Sequence, residues 1–273
     1  MSHEDVTVVI PCFDYGRYVG EAVASALEQE GGAPRLVVVD DGSTDPDTVG
    51  VLGRLPPPVT VLRQDNAGPS AARNAGAALT DTPYLLMLDA DDRLRPGALD
   101  ALRAPLDADS SLGFAYGFAE FFGDWTGRLD FPAYDPYRLL HRSIVSATSL
   151  LRREAFDAAG GFDPGLPGYE DWDLYLGALE SGWTGVRVPE VVLSYRRHSG
   201  SRVGSDRAGY RRRYRAIRKK HSALYARAGE LAEASELGPA GRLAYRAFWG
   251  WRPVPARVEN AVYGRVFRRR AAG

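Results

Sequence analysis

The chain has 273 residues, 45% hydrophobic and 25% charged, with a formal net charge of -1. That length can bury a full core as one large domain or as a domain with a tail, and the near-neutral balance excludes electrostatic capture of nucleic acid, which needs a basic excess. The single cysteine, Cys12, excludes an internal disulfide and fits a reducing compartment.

Short β-branched runs alternate with helical patterns in the first half. Val6–Ile10, Leu36–Asp40, Val59–Leu62 and Tyr84–Leu88 read as strands, near-continuously apolar like buried parallel strands. Between them Tyr18–Glu28, Asp47–Leu55 and Ser70–Leu79 keep apolar residues at helical spacing. The alternation implies βαβ crossovers and an α/β fold with a mostly parallel sheet flanked by helices. Such sheets take ligands at the carboxyl ends of their strands, here Pro11–Asp14, Asp40–Ser43 and Asp89–Asp92.

Further along, Leu112–Phe122 and Ser143–Leu151 read as strands, and Arg153–Ala159 as a short helix stopped by Gly160-Gly161. Asp171–Leu179 is a second helix, Val186–Arg196 is extended, and Tyr210–Leu231 reads as one long basic helix. A boundary near Ser205 divides a domain of residues 1–205 from a basic helical extension of residues 206–273. With no apolar run near the roughly 18 residues of a membrane span, and acidic Glu4 and Asp5 at the start, the expected location is cytoplasmic.

Four polar patches carry chemistry, each with a plainer alternative. Asp40-Asp41-Gly42-Ser43 can accept hydrogen bonds from a base and a ribose, or can be a turn with Ser43 or Thr44 capping the next helix. Asp89, Asp91 and Asp92 crowd three carboxylates at one strand end, a costly arrangement unless a cation such as Mg²⁺ or Mn²⁺ neutralises them. Their alternative role is to cap a helix opening at Pro96. Glu170-Asp171 opens a helix, where a carboxylate is stabilised as an anion and can act as a general base, or simply forms an acidic first turn. Arg196, Arg197 and His198 could grip a diphosphate and a metal, or lie on the surface.

The order of these pieces is more specific than any one of them. Val8–Phe13, Val37–Asp45, Asn66–Gly76 and Leu88–Asp92 closely resemble the family 2 inverting glycosyltransferases of GT-A fold. Gly160–Asp163, Glu170–Asp173 and Tyr195–His198 continue that pattern over roughly residues 6 to 203. The resemblance implies that Pro11 and Phe13 hold the nucleotide base, Asp41 reads it with Asp40 beside it, and Arg73 lies near the nucleotide phosphates. It implies Asp91 as the direct metal ligand, Asp89 toward the ribose or a bridging water, His198 near metal and diphosphate, and Asp171 as general base. Glu170, Trp172 and Arg196 are left as contacts to acceptor or phosphate. Asp14 stands where the family often carries Asn.

The expected reaction moves a sugar from a nucleotide-diphosphate donor, a UDP-sugar foremost, to an acceptor hydroxyl with Mn²⁺ or Mg²⁺. The acceptor is a glycan, a lipid-linked sugar or a small molecule. Two competing readings are a sugar-phosphate nucleotidyltransferase and a non-enzymatic nucleotide-sugar sensor. The first expects a Gly-rich basic loop after the first strand, whereas Pro11–Tyr15 is no such loop; the second expects lost acids, yet Asp89, Asp91 and Asp171 stand. In the extension, Tyr210, Tyr214, Ile217, Leu224, Tyr225 and Leu231 form a stripe beside Arg211–Arg213, Arg215 and Arg218–Lys220. Val258–Arg270 repeats the theme. Such a helix can lie peripherally on the inner face of an anionic membrane or pack on protein with its charges solvated.

Overall fold

The computed structural model describes residues 2–166, 168–198 and 210–251, which divide into two compact units. The first unit comprises Met1–Tyr134 and Ile144–Ser201, the second Asp135–Ser143 and Arg202–Gly273.

In the first unit β1 (Val6–Cys12), β2 (Arg35–Asp40), β3 (Thr60–Arg63) and β4 (Tyr84–Met87) alternate with α1 (Gly16–Leu27), α2 (Pro46–Leu52) and α3 (Pro69–Ala78). Val6, Val8, Val9 and Ile10 of β1, Val38 and Val39 of β2 and Leu85 and Leu86 of β4 are all fully buried. Apolar side chains on both faces of a strand are tolerated only where helices cover both faces, which is why these runs do not alternate with polar residues. Close packing of α3 depends on Gly76: a Cβ there would lie 2.3 Å from a Val9 methyl and 3.0 Å from one of Val39.

After β4 come β5 (Arg93–Leu94), α4 (Ala98–Ala108), β6 (Leu112–Gly123) and β7 (Gly127–Leu129). Then follow β8 (Leu150–Arg152), α6 (Arg153–Ala158), α7 (Glu170–Glu180) and β9 (Thr184–Arg197), with α5 (Pro136–His141) in the second unit. The strand order is β3-β2-β1-β4-β8-β6-β9-β5, with β7 paired to β6. β1, β2, β3 and β4 run parallel, and β8 runs antiparallel to both β4 and β6. β6 therefore points the same way as β4, and β9 runs parallel to β6. Six strands thus deliver their carboxyl ends to one edge, where a mostly parallel sheet forms its site.

The pattern of the sequence differs from the structure in three places. Of the expected strand Ser143–Leu151, the ladder takes up only Leu150 and Leu151, and it adds Arg152. The short pieces β5 and β7 carry too few residues to show a period. The expected single helix Tyr210–Leu231 is three: α8 (Tyr210–Lys220), α9 (Ser222–Ala226) and α10 (Ala228–Ala234). The backbone leaves helical geometry at His221 (φ -96°, ψ 34°) and again at Arg227 (φ -87°, ψ 10°), and the His221 imidazole is buried.

The second unit also takes in residues 135–143, which nothing in the sequence set apart from the first. Asp135 caps α5 by accepting the Arg138 amide (3.0 Å) and also accepts the Ser235 hydroxyl (2.6 Å). α11 (Pro239–Tyr245) follows, and the Tyr137 hydroxyl donates to its Arg242 carbonyl (3.2 Å). Tyr214, Ile217 and Leu224 of the basic stretch are buried while Arg212, Arg215 and Arg218–Lys220 are exposed, the pattern of a packed helix with solvated charges. Residues 252–273, with the second basic stretch, lie outside the described residues, as does Ser205. Among the described residues no helix is long and apolar enough to cross a membrane.

Candidate functional site

The carboxyl ends of β1 and β2 form the first part of the site. Phe13, directly after β1, is 43% exposed and presents its ring at the edge, with Pro11 half-buried in the strand. Asp40 and Asp41 are both buried and both bonded within the chain. Asp40 accepts the Ser43 amide (2.8 Å) and pairs with Arg63 (2.6 Å). Asp41 accepts from the Gln64 side-chain amide (2.7 Å), Ala67 N–H (2.9 Å) and Gly68 N–H (2.8 Å), which fixes the loop leading into α3. Asp14, at φ 54°, accepts the Thr44 and Asp45 amides (2.8 and 2.9 Å) and so ties the β1 loop to the β2 loop. The Asp45 amide foremost holds the Asp14 carboxyl below its ordinary range. Neither Ser43 nor Thr44 caps α2; Asp45 does, accepting the Thr48 amide (3.1 Å).

The end of β4 carries the acid cluster. Its three carboxylates do not cap α4, whose N-cap is Gly97 with no side-chain bond. Asp89 is 39% exposed, Asp91 is half-buried, and Asp92 is buried. Burial, and next the charge of Asp89, push both the Asp91 and Asp92 carboxyls upward. His198, just past β9, approaches Asp91 with Nε2 3.0 Å from Oδ2. Its ring sits beside those of Tyr18 (5.3 Å between centroids) and Tyr15 (6.0 Å). Among the described residues no three His, Cys, Asp or Glu side chains form a metal cage, so an ion held by Asp91 and His198 needs ligand oxygens to fill its shell.

Arg196 lies inside this framework. Its amide donates to Asp92 (2.8 Å), its Nε to the Asp91 carbonyl (2.8 Å) and its guanidinium to Glu21 of α1 (2.5 Å). The Tyr18 and Phe122 rings flank it at 4.5 and 4.3 Å. In this geometry Arg196 holds the acid loop in place. Tyr195 is buried enough, and close enough to Asp92, Asp89 and Asp91, that its phenol is held protonated.

The start of α7 completes the site. Asp171 accepts the Trp172 amide (2.8 Å), and burial first, then Glu170, raise its carboxyl to about 6. Trp172 is 1% exposed with its ring edge-on to Tyr169 at 6.0 Å. The buried ring serves the packing of α7.

Arg73 joins these parts. Buried on α3, it donates to Asp89 (2.7 Å) and to Glu170 (3.2 Å), so one guanidinium brings the β4 acids and the start of α7 together. Those two anions keep it protonated against the pull of burial. Asn74, the next residue, exchanges two bonds with Phe162: its side-chain amide donates to the carbonyl (2.7 Å) and its side-chain oxygen accepts the amide (2.9 Å). Sequence reasoning gave Asn74, Glu21 and Tyr195 no role. Asn74 and Tyr195 left a signal, their places beside Arg73 and Arg196; Glu21 acts through contacts that spacing does not encode.

Comparison with known proteins agrees with this layout. The family model described as Glycosyl transferase family 2 matches residues 7–160. Succinoglycan biosynthesis protein ExoU of Rhizobium meliloti (strain 1021) is 32% identical over 204 residues, covering 65% of this chain and 58% of that protein. Chondroitin synthase of Escherichia coli is 29% identical over 185 residues, 65% of this chain and 27% of that protein. The chain thus spans less than two thirds of either relative. The crystal structure of S. aureus TarS 1-349 in complex with UDP-GlcNAc superposes with a TM-score of 0.70 over 91% of this chain and 71% of that one, at 16% identity. That likeness establishes the GT-A-like fold.

Proposed function

Because the chain belongs to glycosyl transferase family 2, we propose that it transfers a sugar, with inversion, from a nucleotide-diphosphate donor to an acceptor hydroxyl, Asp171 acting as the general base. The observation that carries this reading is the joining of Asp89 and the Glu170-Asp171 pair through Arg73, with the Asp171 carboxyl raised to about 6. A carboxylate with that value is ionised at neutral pH yet basic enough to take a proton in the transition state.

The exposed Phe13 ring offers a stacking surface for the base. UDP is the favoured nucleotide, a reading supported by the TarS structures with UDP-GlcNAc and with UDP. Asp171 accepts the proton of the acceptor hydroxyl as that oxygen bonds to the anomeric carbon. The bond from that carbon to the diphosphate breaks on the opposite side, so one displacement inverts the centre. Mn²⁺ or Mg²⁺ held by Asp91 and His198 would supply charge neutralisation for the departing diphosphate. The crowded, upward-shifted Asp91 fits a cation site of this kind. Arg73 keeps Glu170 neutralised beside the base, and Arg196 fixes the loop that presents Asp91.

The test is a thermal-shift and nucleoside-diphosphate-release screen over UDP-, dTDP- and GDP-sugars, with and without Mn²⁺. Stabilisation and turnover that depend on one nucleotide class and on the cation are expected. A folded protein that responds to none of them refutes the reading.

A further inference from the structure

A transferase that joins two substrates needs surface for both of them around its reacting atoms. β1, β2 and β3 lie on one side of β4, while β8, β6, β9 and β5 lie on the other. Among the described residues of the first unit, the aromatic side chains left exposed are Phe13 at 43% and Trp125 at 65%. Phe13 follows β1, on the nucleotide side. Trp125 sits at the tip of the β6–β7 hairpin, at the same edge because β6 is parallel to β4.

A single exposed apolar residue needs no explanation in itself. Trp125 differs in being built into the edge. The hairpin is pinned where the Asp124 amide donates to the Arg197 carbonyl (2.8 Å). Gly123 allows that approach: at φ 91°, a Cβ there would stand 2.6 Å from the Arg197 oxygen. The Arg197 guanidinium lies over the Trp125 ring at 5.0 Å, with Phe121 and Tyr195 at 5.7 and 6.0 Å on its other contacts. Among the described residues Arg197 has no carboxylate partner, and the next residue is His198. His198 Nε2 in turn lies 3.0 Å from Asp91 Oδ2, so the platform borders the acid cluster. A saccharide seated on Trp125 can therefore extend its terminal hydroxyl toward the acids.

We infer that Trp125, with Arg197 stacked on it, is an acceptor-binding platform that takes a pyranose ring of a saccharide acceptor. The ring's apolar C–H face packs on the indole, the indole N–H is free to donate to a hydroxyl, and Arg197 supplies donors to hydroxyl or carboxylate oxygens. This rests on the glycosyltransferase reading and commits the acceptor to carbohydrate, setting aside an aglycone small molecule.

The experiment loads the full chain with UDP and Mn²⁺ and probes an array of neutral and uronate-bearing oligosaccharides. The strongest binder is then titrated, fluorescently labelled, against wild type, Trp125→Ala and Trp125→Phe. Saccharide affinity falls roughly tenfold in Trp125→Ala and is largely kept in Trp125→Phe, while UDP affinity is the same in all three and reports an intact fold. Equal saccharide affinity in Trp125→Ala and wild type overturns the inference. So does a wild type that binds UDP but no saccharide on the array. Failure to bind UDP at all sinks the underlying reading and this one with it.

Discussion

Replacing Asp171, the proposed base, with its neutral isostere will make the protein more stable while removing transfer. The Asp171 carboxyl is raised from the ordinary 3.8 to about 6, chiefly by burial and then by Glu170, with Arg73 and the Trp172 amide opposing. That is about 2 units, or about 3 kcal/mol at roughly 1.4 kcal/mol per unit. The folded state therefore holds the proton more tightly than the unfolded chain. Below pH 4 both states are protonated and Asp171 costs nothing in ionisation. Between pH 4 and 6 the unfolded chain ionises first, so stability falls as pH rises, and above about 6 the full penalty stands. In Asp171→Asn the side-chain oxygen can still accept the Trp172 amide (2.8 Å in the wild type), so the variant loses the penalty without losing that bond. Urea unfolding of both proteins from pH 4 to 8, with EDTA present, will show curves that coincide near pH 4 and separate to about 3 kcal/mol by pH 7 in favour of the variant. Parallel curves over that range would show that Asp171 is not held in a desolvated site, and the argument for its basicity would fall with them.

Three further substitutions have outcomes set by the structure. Arg73→Met leaves Glu170 without its cation in a half-buried setting and will cost about 3 kcal/mol by thermal or urea unfolding; the more solvated Asp89 adds little. Since Arg73 lowers the Asp171 carboxyl, its removal will also shift the acid limb of the pH–rate profile to higher pH, read from kcat against pH. Asp91→Asn will abolish the Mn²⁺ or Mg²⁺ response of UDP-sugar turnover, measured as UDP release against metal concentration, while the protein stays folded by circular dichroism. Gly76→Ala gains about 1 kcal/mol of helix propensity but sets a methyl 2.3 Å from Val9, so it will lower stability by about 1–3 kcal/mol overall, seen as a reduced melting temperature.

What the sequence made legible was whatever follows from strand period and strand ends. Val6–Ile10, Leu36–Asp40 and Tyr84–Leu88 are apolar on both faces, so their parallel pairing could be read, and with it the edge carrying Phe13, Asp41 and Asp89. The direction of β8 could not, because three residues of Leu150–Arg152 carry no period and its partners are far away in sequence. Side-chain destinations were least legible. The resemblance implies Arg73 near the nucleotide phosphates and leaves Arg196 as a contact to acceptor or phosphate; spacing says nothing of the carboxylates and carbonyl within the chain that their guanidinium groups also meet. An arginine that binds a ligand and one that braces a loop have the same letter. Trp172 and Trp125 illustrate the converse: the one beside the acidic pair is buried, and the one in an unremarked turn is exposed.

The adjacency of Arg73 and Asn74 on α3 has a consequence for how this chain can vary. One residue clamps the acids and the other clamps Phe162, so α3 has a single permitted rotational setting. Inserting or deleting one residue ahead of them would turn both side chains by about 100° around the helix axis and release both clamps at once. Length changes in descendants of this gene will therefore be purged between Gly68 and Gly76, and will accumulate instead in exposed turns such as Gly31–Gly32.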